Sequence, residues 1–203
     1  MYDFFLNYYA NSTTTQIVLE FLAFFFGIIS VFYAKKENIL VYPTGLIATV
    51  ISIYLMYHAK YFGDMIINFY YSIMSIYGWH LWSKNKNNIE LPISRATFHE
   101  KKVGMFLFVL SIIFTYLVYV FFGTKLKIPN YIDIFTSGLF FTAMWLMALK
   151  KIENWPLWII ADIIAVPLFA YRGLGMIALQ YLIFTLLAIS AYIKWNKILA
   201  KQI

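Results

Sequence analysis

The sequence predicts an all-α integral membrane protein, and three observations carry that prediction. The 203 residues are 63% hydrophobic and only 12% charged, with a mean hydropathy of +0.73; a water-soluble domain lies nearer half apolar and a quarter charged. Seven segments approach the roughly 20 apolar residues that cross a bilayer as a helix. The charges fall between those segments, where they serve as topology signals. Disorder is excluded, because it needs low hydrophobicity. The chain has no cysteine, which removes disulfides, thiolate zinc sites and cysteine nucleophiles together. A net charge of +7 would suggest nucleic acid in a soluble protein, but charges set at span ends predict no nucleic-acid partner.

The elements follow in order. Residues 1–14 carry no Lys or Arg, so they do not resemble the basic start of a cleaved signal peptide. They read as a short external tail. Spans are expected at 15–34, 39–58 and 63–82, and then a polar loop at 83–102 holds most of the loop charge. A single span at 103–122 follows, and after it come 132–148, 154–171 and 173–195, with a tail at 196–203. Pro43, Gly45 and Pro167 fall inside these spans, which packed membrane helices tolerate. Lys35, Lys36, Lys84, Lys86, Arg95, Lys101, Lys102, Lys150, Lys151, Lys194, Lys197 and Lys201 gather on one side. Only Lys60, Lys125, Lys127 and Arg172 fall on the other, which makes twelve against four. The positive-inside rule then puts the N-terminus outside and the C-terminus in the cytoplasm.

An internal repeat is expected. The turn Lys35-Lys36-Glu37-Asn38 is similar to Lys150-Lys151-Ile152-Glu153-Asn154. Aligning the two Glu-Asn pairs sets the next helices at an offset of 116, with Tyr42 opposite Trp158 and Val50 opposite Val166. Further on, Gly78-Trp79-x-x-Trp82-x-Lys84 matches Ala191-Tyr192-x-x-Trp195-x-Lys197 at an offset of 113, so three residues should be lost in the loop between. The layout is three helices over 15–82, one linker helix, and three more over 132–195, a 3+1+3 parallel repeat. Parallel repeats are a transporter signature, with the site expected between them near the membrane midplane.

Polar residues at membrane depth are costly, so each needs a partner or a role. Asp162 lies between two Ile-Ile-Ala runs, with Trp155 and Trp158 seven and four residues before it on roughly the same helical face. That face would offer two aromatic plates and a carboxylate to a cavity; the alternative is an interfacial Trp pair and an interhelical Asp. Asp64, Asn68 and Tyr71 share a face of the third span, and Gln180 and Tyr181 lie at the matching depth of the seventh. Amides and phenols bond a polar ligand while rings stack on it, although interhelical hydrogen bonding accounts for them equally. Glu20 and Asp133 read as snorkelling or helix-pairing carboxylates. His58, His80 and His99 share no metal-ligand spacing, so no metal or cofactor is expected. Neither HExxH, GxSxG nor a Walker lysine is present, and nothing argues for an enzyme.

Several motifs together resemble the PnuC nicotinamide riboside transporter family. Glu153-Asn154-Trp155-Pro156-Leu157-Trp158, with Asp162 following, resembles its WxxW-bearing sixth helix. Ile76-Tyr77-Gly78-Trp79-His80-Leu81-Trp82, with Asn68-x-x-Tyr71 before it, resembles its third helix. Tyr171-Arg172-Gly173-Leu174 is similar to its loop between helices six and seven. One departure is Asn68, where many relatives carry Gln. The resemblance implies a bundle similar to the SWEET sugar transporters, packed as a homotrimer in a bacterial inner membrane. It further implies facilitated diffusion of nicotinamide riboside for NAD synthesis, without ATP. A pyridinium ring against Trp gains cation–π energy, about 2 kcal/mol when desolvated, and an acidic group balances its charge. A SWEET-like facilitator of a sugar or another nucleoside, or a proton-coupled carrier, are the competing transport readings. A rhodopsin-type photoreceptor needs a lysine deep in the seventh span, where only Lys194 lies, near its end.

Overall fold

A computed structural model describes residues 13–58, 62–83, 91–123 and 125–202, with residues 62–64 described by their backbone alone. Residues 1–12 of the expected external tail, Lys60, Lys84, Lys86 and the Asp64 side chain lie outside what is described. The described residues form seven helices: α1 Thr14–Lys35, α2 Val41–His58, α3 Phe62–Ser83, α4 Phe98–Phe121, α5 Ile128–Ala148, α6 Asn154–Tyr171 and α7 Gly175–Ala200. All but α3 are long and apolar enough to cross a membrane. Helix α3 has the length, but Asn68, Ser72, Ser75 and His80 make it more polar.

Capping chemistry explains where these helices depart from the expected spans. Helix α4 begins at Phe98, five residues before 103. Thr97 Oγ1 accepts the Glu100 N–H at 3.2 Å and Glu100 Oε2 accepts the Thr97 N–H at 2.7 Å, a capping box that starts the helix outside the apolar run. At α1 the same device joins Thr13 and Gln16. Helix α5 starts at Ile128 rather than 132, because Pro129 needs no donor in a first turn. Helix α6 keeps its expected bounds, whereas α7 starts at Gly175 because Gly173 takes a left-handed turn with φ +76°. It runs on to Ala200, since Ile198 and Leu199 pack on the core.

Four of the six helix ends repeat at one spacing. Lys35 and Ala148, Val41 and Asn154, His58 and Tyr171, and Phe62 and Gly175 are each related by the same offset of 113. The first turn carries Glu37 N–H→Ala34 O (3.0 Å) and Asn38 N–H→Tyr33 O (3.0 Å). The second carries Lys150 N–H→Met147 O (2.9 Å) and Lys151 N–H→Leu146 O (2.9 Å), the same bonds at the same offset. The expected offset of 116 in α2 and the loss of three residues are therefore wrong. Glu37-Asn38 and Glu153-Asn154 look alike, but Asn38 belongs to a turn whereas Asn154 opens a helix. Backbone geometry sets the register: Tyr42 corresponds to Trp155, and Pro43 to Pro156.

Helix α1 packs on α2 and α2 on α3; α5 packs on α6 and α6 on α7. The contacts α1–α7 and α3–α5 join the first three helices to the last three, and α4 packs mainly on α5. Helix α5 is accordingly the most enclosed, with thirteen buried residues. Across α3–α5, Trp82 Nε1 donates to Ala148 O at 3.0 Å and the Tyr70 hydroxyl donates to Phe141 O at 2.9 Å. Large apolar side chains such as Phe25, Phe106, Leu110 and Ile113 are exposed on the bundle, which suits a lipid solvent.

At the end rich in Lys, the segment that leads into α4 docks on the α5–α6 turn. Ser94 N–H donates to Lys150 O at 3.1 Å and Ile152 N–H donates to Ser94 O at 3.0 Å. Glu153 Oε2 accepts the Ala96 N–H at 2.9 Å, and Lys151 pairs with Glu100 at 3.0 Å. Ile93 is buried beneath it.

Candidate functional site

A cavity of about 1190 Å³ lies within the bundle, above the usual range of roughly 300–1,000 Å³ for ligand pockets. All seven expected site residues line it: Trp155, Trp158 and Asp162 from α6, Asn68 and Tyr71 from α3, and Gln180 and Tyr181 from α7. Their helices approach it from three directions, so the constellation is tertiary.

Trp158 is partly buried, with its ring 5.5 Å from Phe140 and 6.1 Å from Tyr71. Tyr181 stacks between Phe140 (5.7 Å, 25°) and Phe169 (5.1 Å, 12°). Together these rings form an aromatic wall. Trp155 lines the cavity too, but is more enclosed than Trp158. It is 1% exposed and packs edge-on against Trp195 at 5.3 Å and 90°. Its counterpart Tyr42 meets Trp82 in the same way, at 5.0 Å and 85°. Trp155 therefore lines the cavity while its ring also packs on Trp195 of α7.

Asp162 is 2% exposed and its Oδ1 has no hydrogen-bond partner among the described residues. The indole N–H groups of Trp155 and Trp158 are likewise unmatched. An unsatisfied buried polar atom costs about 1–3 kcal/mol, so Asp162 and Trp158 together favour a polar, cationic occupant. Gln180 reaches across to α1: a Cβ built on Gly27 would lie 3.0 Å from its Nε2.

At the opposite end from the basic turns, Asp133 accepts a hydrogen bond from the Tyr119 hydroxyl and pairs with Arg172 at 3.4 Å. This ties α4, α5 and the α6–α7 turn together, so Asp133 is a helix-pairing carboxylate. Glu20, its counterpart in α1 by the common register, also lines the cavity. Among the described residues no three His, Cys, Asp or Glu side chains gather as a metal site.

Ser30, Thr49, Ser52 and Ser75 also line the cavity, and sequence reading passed over them because a lone hydroxyl in a membrane helix carries little signal. So did Phe140 and Phe169.

A bundle of membrane-length helices around an aromatic and polar cavity, without a metal cluster among the described residues, has the form of a small-molecule transporter. The chain belongs to the nicotinamide mononucleotide transporter family, whose model matches residues 17–197. It is 25% identical over 193 residues to the nicotinamide riboside transporter PnuC of Escherichia coli (strain K12), covering 83% of this chain and 81% of that one. To the nicotinamide riboside transporter PnuC of Neisseria mucosa it is 24% identical over 190 residues, covering 87% of this chain and 71% of that one. Among solved structures, a crystal structure of the vitamin B3 transporter PnuC superposes with a TM-score of 0.72 at 23% identity, covering 90% of this chain and 82% of that one. That likeness establishes the fold.

Proposed function

We propose that this protein carries nicotinamide riboside into the cell by facilitated diffusion, without ATP. The observation that carries the reading is that the half-buried Trp158 ring and the Asp162 carboxylate, whose Oδ1 is unmatched among the described residues, line one cavity. A flat cationic ring satisfies both: it stacks on the indole and offsets the carboxylate. Membership of the family and the names of the two curated relatives support the substrate class. Between a riboside and its mononucleotide, the cavity favours the riboside. Arg172 is the one Lys or Arg among its described lining residues, and Asp133 already pairs with it. A phosphate dianion would shed its water with no uncommitted cation there to receive it.

The reading includes a 3+1+3 parallel repeat, supported by four of six helix ends that coincide at the single offset of 113. It places the basic turns in the cytoplasm and the N-terminus outside, supported by the twelve-to-four charge bias. Uptake of radiolabelled nicotinamide riboside into sealed proteoliposomes lacking nucleotide tests it. Internal label should rise until it equals the external concentration, and excess mononucleotide should compete poorly. Strict dependence on ATP, or accumulation that requires a pH gradient, defeats the proposal.

A further inference from the structure

The common register of the two halves exposes a chemical asymmetry in the cavity. Gly27 corresponds to Phe140, Gly45 to Trp158 and Thr49 to Asp162. Three serines correspond to alanines: Ser30 to Ala143, Ser52 to Ala165 and Ser75 to Ala188. At these six pairs of positions, bulk and aromatic surface come from the last three helices, while room and hydroxyls come from the first three. Thr136 and Ser137 also line the cavity, but their hydroxyls donate to the Asp133 carbonyl at 3.0 and 2.8 Å.

Gly45 is where the hydroxyls converge. A Cβ there would lie 2.9 Å from Ser30 Oγ and 3.8 Å from Ser75 Oγ, so the missing side chain leaves both groups facing the space. Ser30 spends its proton on Val41 O at 2.8 Å, which leaves its lone pairs to accept. Thr49 and Ser72 share one hydrogen bond at 2.8 Å. Ser75 is 3% exposed and makes no side-chain hydrogen bond to a described residue, although it lines the cavity. Tyr71, one helical turn before Ser75, meets the Trp158 ring at 6.1 Å, so the hydroxyl wall adjoins the aromatic one.

We propose that Ser75, flanked by Ser30 and Thr49, reads the hydroxyls of the sugar while Trp158 faces the pyridinium ring, so that the substrate lies in one orientation across the cavity. A sugar hydroxyl can donate to Ser30 and both donate to and accept from Ser75. This rests on the riboside reading and deepens it by assigning the sugar subsite.

Calorimetry with two ligands tests it: nicotinamide riboside, and 1-methylnicotinamide, which keeps the charged ring and lacks the sugar. Ser75→Ala should weaken riboside binding about threefold to tenfold, leave 1-methylnicotinamide binding and Tm unchanged, and shrink the preference between them. Trp158→Phe should weaken both ligands. Unchanged riboside affinity in Ser75→Ala, or an equal loss for both ligands, overturns the sugar subsite while leaving the transport reading intact. A folded wild type that binds no riboside overturns the transport reading and the subsite with it.

Discussion

Glu37 and Lys150 occupy the same position in two versions of one turn, and they pair with each other at 3.8 Å. Each is the left-handed residue that ends its helix, with φ +58° and +50°. The Lys150 side chain is 4% exposed, and its ammonium also sits 4.4 Å from the centre of the Trp82 ring. The pair therefore fastens α1 to α5 at the basic end. Removing one partner of a largely buried pair is costly, because the other charge remains without compensation. With Glu37 a quarter exposed, Glu37→Gln should lose about 1–2 kcal/mol. Thermal unfolding in detergent should place the single reversal Glu37→Lys lowest, with the double exchange Glu37→Lys/Lys150→Glu recovering part of the loss. A double exchange no more stable than the single reversal would remove the pair from the account.

The two tryptophans of α6 should separate into different roles. Trp158→Ala should weaken riboside binding about tenfold to a hundredfold, as loss of a stacking face costs roughly 1–3 kcal/mol. Trp155→Ala should instead destabilise the fold by about 3–5 kcal/mol, as for other buried Trp truncations. Calorimetry and Tm on both variants distinguish them; a stable Trp155→Ala with lost binding would restore it as a ligand plate.

Asp162→Asn keeps the shape of the side chain and removes its charge. Affinity for the cationic riboside should fall several-fold, while a neutral analogue with the reduced ring should bind no worse than to wild type. The comparison is made by competition against labelled riboside, and equal losses for both ligands would assign Asp162 to packing.

Gly78 has no room for a side chain, because a Cβ there would sit within the Tyr42 ring. Gly78→Ala should cost about 1–3 kcal/mol by forcing α2 and α3 apart. Ala191 is its counterpart in α7 and already carries a methyl group in the same buried cluster as Trp155, so Ala191→Gly should be far milder. A Gly78→Ala variant that melts with wild type would show that Tyr42 moves freely.

Composition and spacing make the seven described helices legible, and the seven candidate residues line one cavity. Hydropathy could not locate the start of α4, because its first turn is polar and is held by Thr97 and Glu100 rather than by burial. Nor could it find the register. Glu37 and Lys150 are equivalent yet opposite in charge, so residue likeness pulled the alignment toward Glu153. Trp155 and Trp158 were indistinguishable as letters three apart; only the packing of Trp195 on one of them separates their environments. The serines became visible once the shared turn fixed which residue faces which.

Coincident helix ends also bear on how such a protein can change its cargo. Gly27 and Phe140, Gly45 and Trp158, and Thr49 and Asp162 differ in size and charge, although four of the six helix ends around them keep one spacing. Size and charge at the lining are therefore free variables on a fixed frame. Exchanging the members of one such pair between the halves turns the cavity's chemistry around while preserving chain length and every turn, a compact route to a carrier with altered selectivity.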